Sequence, residues 1–546
     1  MVNNSDTTYD AIILGAGPNG LTCGAYLAKA GAKVLILEHN PECGGGLVTQ
    51  ELSGFKMNSH ATYMLLGDLM PAYTDLDLAD YGVKFITPDV QASFLYDDGN
   101  ELVLYEDDER TESVIADNFS QRDAQAFRKM YDDFSAACSQ FIIPATYAPP
   151  LSPIDQVVLL EQTDEIGRKI SAMSEMTPKE LVESYDFSDS RLAASFTYLA
   201  SMFGLDPTGG GMGFLAPIYV WRLMKNQLVK GGSHQLASSL RRVIEQYGGT
   251  IITNATVTSI EITSGEATGV VLREGTEYKG RAIVSTLNPE QTFLRLIDPK
   301  YVPGYLKEAS TSWEWDETSL FVSNFGIVGE PPVYDRYDPD VSRSLVVVMG
   351  VNSADELIEH YENISNGELP SDIIGHASCL SQFDQLMAPS HLPEYGNCES
   401  LRFECWAPYD QKWDEIKVEL SRKILEFWSK YAPNLKDANV RINLNWSPWD
   451  IEDHLPTMKR GAIKHGAYIT LQMGSNRPNT DCSNYRTPIA GLYVAGASVH
   501  PGGMVILGSG YNAAGVVCKD LNLKRWWPVP PMVNQAVEKG YLTLED

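Results

Sequence analysis

Tyr9-Asp10-Ala11-Ile12-Ile13-Leu14-Gly15-Ala16-Gly17-Pro18-Asn19-Gly20 is an apolar run that opens into a G-x-G-x-x-G turn. From Ala11 to Leu14 the run is continuously apolar, as in a short buried parallel strand. An Ala-rich apolar pattern from about Asn19 to Ala30 predicts a helix, and Gly31 closes it. Lys33-Val34-Leu35-Ile36-Leu37 reads as the next strand, and Glu38 ends it. Each part has a physical role: Gly15 permits the tight turn, Gly17 lets backbone approach a pyrophosphate, and Gly20 lets helix and strand pack closely. Pro18 and Asn19 sit where the helix N-terminus offers free N–H groups and a positive dipole end to phosphate. Glu38 can accept from ribose hydroxyls. Strand, turn, helix, strand and acid in register make this a dinucleotide-binding fingerprint.

A second glycine run follows in Cys43-Gly44-Gly45-Gly46-Leu47-Val48-Thr49, with Gly45, Gly46 and Leu47 as candidate cofactor contacts. Gly231-Gly232-Ser233-His234 opens an amphipathic helix carrying Leu236, Leu240 and Val243, and strands are expected around Thr250–Ile252, Ala255–Ile260, Gly269–Leu272 and Ala282–Thr286. Gly491 to Gly496 reads as another buried strand, followed by a loop through His500-Pro501-Gly502-Gly503-Met504 and a small-residue helix from Gly508. Gly496, Ala497, Gly503 and Met504 are further cofactor candidates, and the N-terminus of that helix could stabilise negative charge on a reduced cofactor.

In this order the motifs resemble the phytoene desaturase-like and carotenoid isomerase-like flavoproteins of the amine-oxidase-type superfamily. The likeness covers Gly15–Thr49, Gly231–Thr286, Ser447–Glu452, His465-Gly466, Arg477-Pro478 and Gly491–Gly515. It implies FAD as cofactor, a backbone contact to adenine near Val257, and hydride transfer from a C–H bond to the flavin. Met504 and Leu507 stand where relatives often carry glycine, so the site beside the flavin differs in shape.

The expected fold is α/β: a discontinuous Rossmann-like FAD-binding domain with a mixed α+β substrate domain. The segments are 1–70, 228–300 and 475–525 for the cofactor, 71–227 (largely helical) and 301–474 for the substrate, and a tail over 526–546. In 71–227, Ser120 is placed to cap a helix with Asp123 at N3. The stripe Phe127, Met130, Tyr131, Phe134, Cys138 and Phe141 is either core or a tunnel wall. Gly209–Pro217 could border a substrate entrance or lie buried, and Arg525–Pro531 could dock on the chain, on another subunit or on lipid. A second amphipathic helix is expected over Glu415–Tyr431.

Composition narrows the partners. The 546 residues carry a formal charge of −29, which repels nucleic acid and anionic lipid. No apolar run reaches the roughly 20 residues that span a bilayer, so membrane contact is at most peripheral, and Met1–Asp10 lacks the pattern of a secretory signal. Eight scattered cysteines without C-x-x-C suggest reduced thiols in the cytoplasm, no metal site and no redox-active dithiol. A second G-x-G-x-x-G for a nicotinamide domain is lacking, so oxygen or a quinone is the expected electron acceptor. A homo-oligomer is compatible with the chain.

Proton-transfer candidates are His60, His465 and His500, with Asp450 and Glu404 behind them, since imidazole suits proton transfer near neutral pH. The leading reading is an FAD-dependent oxidoreductase that introduces or rearranges C=C bonds in an apolar or cyclic small molecule. The alternatives are an oxidase of a small amine or hydroxy compound, and a flavin-fold binding or assembly protein without turnover.

Overall fold

The computed structural model describes residues 7–369, 371–389 and 396–544; the first six residues of the acidic segment Met1–Asp10 and the last two of the tail lie outside the described residues. Two seven-stranded sheets dominate. In the first, Thr250–Ile252, Val34–Leu37, Thr8–Leu14, Glu277–Ser285 and Leu492–Val494 lie parallel in that order. An antiparallel meander through Glu266–Leu272 and Val257–Thr263 extends the edge. Leu14 pairs with Leu37 and with Ser285, Ser285 with Val494, and Leu37 with Ile252. All five parallel strands therefore end on one line, and the loops that leave them gather at one edge, where open α/β sheets bind ligands.

The helix Pro18–Lys29 covers this sheet and packs against His234–Gln246 and Gly508–Asp520. It lies close because Gly24 faces the sheet: a Cβ there would sit 2.6 Å from Ile36 Cδ1.

The second sheet runs Val440–Trp446, Thr318–Val328, Cys398–Pro408, Gly375–Cys379, Val346–Met349, Val90–Leu95, Glu101–Tyr105. Successive side chains alternate between its faces. Phe321, Phe325, Phe403 and Cys405 join Trp413, Ile424 and Trp428 of the helix Trp413–Tyr431 in one core. Leu320, Val322, Arg402 and Glu404 point the other way and border the large cavity between the sheets.

Within 71–227 the chain is helical in long stretches, among them Asp108–Asn118, Gln121–Ala137 and Ser190–Ser201. It also supplies Val90–Leu95 and Glu101–Tyr105, and the first of these pairs with Val346–Met349, some 250 residues on in the chain. Ser120 caps as expected, accepting from the Asp123 N–H at 3.0 Å. The stripe from Phe127 to Phe141 is core: Phe127 stacks on Phe196, and none of the stripe borders the cavity. Gly209–Pro217 does not border it either, and Gly213 is pressed against the carbonyls of Met173 and Met176. The tail docks on its own chain. Trp526 stacks on Tyr26 with centroids 5.6 Å apart and donates to the Tyr26 carbonyl at 3.1 Å, while Trp527 meets the same ring edge-on. Among the described residues no helix is long and apolar enough to cross a membrane.

Candidate active site

The five loops at the common strand edge open onto one cavity of about 580 Å³. From the glycine turn come Gly15, Gly17, Pro18, Asn19 and Gly20; from the second strand, Glu38. Val257 and Thr286 enter from the meander and the fourth parallel strand, Gly496 and Ala497 from the last. Gly45, Gly46, Gly503 and Met504 complete that half. Leu47 is fully buried in the core and is not among the residues that border the cavity, and its carbonyl meets His234 Nδ1 at 3.0 Å.

Two glycines show why this edge suits a pyrophosphate. A Cβ on Gly20 would lie 2.0 Å from the Gly15 carbonyl oxygen, a contact no side chain can relieve. A Cβ on Gly17 would meet nothing within 4 Å, so the backbone there faces open space. Beside it, Glu38 Oε2 accepts from the Ala16 N–H at 2.7 Å and Oε1 from the Asn40 N–H at 2.8 Å. These bonds hold the carboxylate against the turn and leave lone pairs for ribose hydroxyls. Burial pushes the Glu38 carboxyl up, and the backbone bonds oppose that. Further along, the hydroxyls of Ser59 and Thr62 are buried, border the cavity and have no hydrogen-bond partner in the protein. An extended group with phosphates at one end and a polar ring at the other fits these features.

No residue of the helix from Gly508 lies on the cavity wall. Its first residues pack on the Thr146 carbonyl and on Asn19, and the cavity meets the chain earlier, at Gly503–Val505. Met504, Val505 and Leu507 all have left-handed backbone, with φ of 68°, 55° and 59°. That conformation favours glycine and costs a bulky residue about 1–2 kcal/mol. The loop is held by Tyr468, whose hydroxyl accepts from the Gly503 N–H at 2.8 Å. Tyr468 lies against the buried Arg477, which donates to the carbonyls of Ala497, Gln472 and Lys464.

The histidines separate. His60 borders the cavity, and its Nε2 lies 2.9 Å from Nδ1 of His454, a half-buried residue at the end of the helix Pro448–His454. Burial, then the charges of His454 and Arg402, hold the His60 imidazole well below its usual value. His465 also borders the cavity; its Nδ1 has no partner, and burial followed by Arg477 brings it down to about 3. His500 does not border the cavity. Its Nε2 meets the Ala145 carbonyl at 3.0 Å, and burial lowers it to about 4. Asp450 forms a capping box with Ser447 and pairs with Lys417 at 2.8 Å.

Glu404 does border the cavity. Its partner Arg402 donates from Nε to Glu404 Oε1 at 2.5 Å, and from its other nitrogens to the Asn58 and His60 carbonyls and Asn324 Oδ1. His454 and Arg402 escaped sequence reasoning. No local motif marks either; each acquires its position from pairing across more than 300 residues. Among the described residues no cluster could hold a metal ion, and all eight cysteines are buried.

Comparison with known proteins agrees with this geometry. The family described as flavin containing amine oxidoreductase matches residues 19–311. A subunit of the limonene dehydrogenase of Castellaniella defragrans is 38% identical, over 98% of each chain. Phytoene desaturase (lycopene-forming) of Pantoea ananas is 23% identical over 93% of this chain and 99% of its own. Cyclohexylamine oxidase from Brevibacterium oxydans shares the fold, with a TM-score of 0.58 and 15% identity over 94% of this chain and 100% of that one.

Gly17→Val, whose side chain would meet only open space in the protein, is expected to fold but to purify with less than a tenth of the FAD of the unsubstituted protein, read from the visible spectrum. Acid is expected to destabilise the fold through the buried neutral histidines. Below the unfolded value near 6.5 the unfolded chain takes up protons that His465 and His500 refuse until about pH 3 and 4. The loss therefore begins as pH falls through 6.5 and amounts to about 2 kcal/mol per histidine at pH 5. Urea midpoints between pH 7 and 5 check this, and His500→Gln should flatten the slope.

Proposed function

The chain belongs to the flavin containing amine oxidoreductase family, and on that premise we propose that it dehydrogenates an apolar cyclic or polyene hydrocarbon. It is an FAD-dependent oxidoreductase. The observation that carries the substrate class is the near full-length likeness to a protein named for limonene, supported by a second named for phytoene. The cavity wall supports it too: Phe203, Leu320, Val322 and Tyr63 line the same cavity. Such a wall gives a hydrocarbon apolar contact and excludes water.

FAD, when bound, supplies a two-electron acceptor for hydride from a C–H bond. The cradle for it comprises Gly15, Gly17, Glu38, Gly45, Gly46, Val257, Gly496, Ala497 and Gly503. The chain must then accept the proton that leaves the neighbouring carbon. His60 is our choice for that base. It faces the cavity, burial keeps its ring neutral and able to accept, and His454 gives the proton a second imidazole on the way out. His454 stands near Glu42 and Asp453, whose charges favour its protonated form against the burial that lowers it. His465 faces the same cavity but has no relay partner, which supports a lesser role in proton transfer. The single dinucleotide fingerprint supports reoxidation by oxygen or a quinone rather than by a nicotinamide.

The test is anaerobic mixing of the FAD-loaded protein with a cyclic alkene, a linear polyene and a small primary amine, following loss of visible absorbance. Hydrocarbon should bleach the flavin and the amine should not. His60→Ala should slow bleaching about 100-fold, within the range of general-base contributions. An amine that bleaches faster than every hydrocarbon overturns the reading.

A further inference from the structure

Glu404 is a carboxylate in the cavity wall, between the apolar side chains Leu320 and Val322 and its partner Arg402. It lies midway along Cys398–Pro408 with its side chain 4% exposed. The register sets it in a row across three strands, with Val322 directly opposite on one side and His376 on the other. Burying a carboxylate is costly, and an apolar pair of similar volume at such a position is often as stable. Burial alone would push Glu404 up, but the charges and hydrogen bonds of Arg402 and His376 outweigh it and bring the group down to about 2. The carboxylate therefore stays charged throughout the physiological range and is unsuited to shuttling a proton, the role its residue type first suggested.

Its pairing leaves it able to act on a third partner. Arg402 and His376 both approach the same oxygen, Oε1, at 2.5 and 3.8 Å. Arg402 also spreads its donors over three neutral oxygens, those of Asn58, His60 and Asn324, which draws part of its charge away from the carboxylate. His376 Nδ1 is engaged at 2.9 Å by the Tyr198 hydroxyl. A held, oriented anion facing an apolar space stabilises positive charge far more than it would in water.

Hydride loss creates such a charge. The C–H bond breaks heterolytically, hydrogen leaves with both electrons to the bound flavin, and the carbon keeps a positive charge until a proton leaves its neighbour to the imidazole of His60. We propose that Glu404 is the fixed counter-charge for that substrate cation, and that the substrates are hydrocarbons whose reacting C–H is allylic, so that the charge is delocalised beside the carboxylate. The inference rests on the hydrocarbon reading above and narrows it.

The test is equilibrium binding to the oxidised, FAD-loaded protein, read from the flavin spectrum without oxygen. The probes are cyclohexylmethylammonium, which mimics the cation and has no allylic C–H, and its neutral isostere ethylcyclohexane. The ammonium is expected to bind at least tenfold tighter than the isostere. E404Q should abolish that preference while changing the affinity for the isostere less than twofold, and Glu404→Asp should retain part of it. With an allylic substrate, E404Q should bleach at least 100-fold more slowly. Equal affinity of the two probes for the unsubstituted protein overturns the proposal even if E404Q fails to hold flavin. A preference that survives in flavin-loaded E404Q overturns it as well. If the ammonium probe itself bleaches the flavin, it is the hydrocarbon reading that fails, and the proposal falls with it.

Discussion

Five parallel strands stop on one line because Leu14, Leu37, Ile252, Ser285 and Val494 share a register. Everything at the cofactor end depends on that line. A strand shifted by one residue would turn its side chains over and carry its loop away from the others. The contact between Gly20 and the Gly15 carbonyl then sets how closely the first helix approaches the turn. Glu38, tied to the Ala16 N–H, closes the turn against the second strand. Backbone hydrogen bonds, rather than long flexible side chains, thus shape the cradle, and a rigid cradle wastes little binding energy on ordering itself.

The second sheet supplies what the first lacks, a face whose chemistry can be chosen residue by residue. Its outer side chains fill a core with the helix Trp413–Tyr431, and its inner ones bring Leu320 and Val322 to the cavity wall beside the Arg402–Glu404 pair. Arg402 joins this wall to the cofactor half through the Asn58 and His60 carbonyls, so the segment that presents His60 is held by the same residue that orients Glu404. Arg477 does the equivalent work at the other side, gathering the carbonyls of Ala497, Gln472 and Lys464 around Tyr468. Two buried guanidiniums therefore fix the loops that border the cavity. Each satisfies its donors with oxygens from several separate segments, which is how a buried charge is tolerated.

The cofactor half was legible in the sequence because its signals are local. The glycine turn, the Ala-rich helix, Glu38 and the late glycine loop each announce themselves within about 30 residues, and nearly all of the cofactor candidates face the cavity. The expected glycine at Met504 and Leu507 has its reason in their left-handed backbone. Leu47 packs into the core beside the glycine run, because such a run marks where the chain bends and not which neighbour faces outward. The proton-transfer residues were harder. Histidine type cannot separate His60, which meets the cavity, from His500, which bonds a carbonyl behind it. His454, Arg402 and the role of Glu404 come from cross-strand register and from segments joined across hundreds of residues, as do the strands Val90–Leu95 and Glu101–Tyr105 inside a stretch that otherwise reads as helix.

Hydride loss from a C–H bond of an apolar substrate is the step on which the proposed chemistry turns. The rate of flavin bleaching in a single anaerobic turnover tests it most directly, measured with a cyclic alkene carrying protium or deuterium at the allylic carbon. Bleaching is expected to be slowed several-fold by deuterium at that carbon and unaffected by deuterium elsewhere in the ring. An absent isotope effect at the allylic position contradicts hydride loss there. So does a failure of every alkene to bleach a flavin that remains bound and reducible by dithionite.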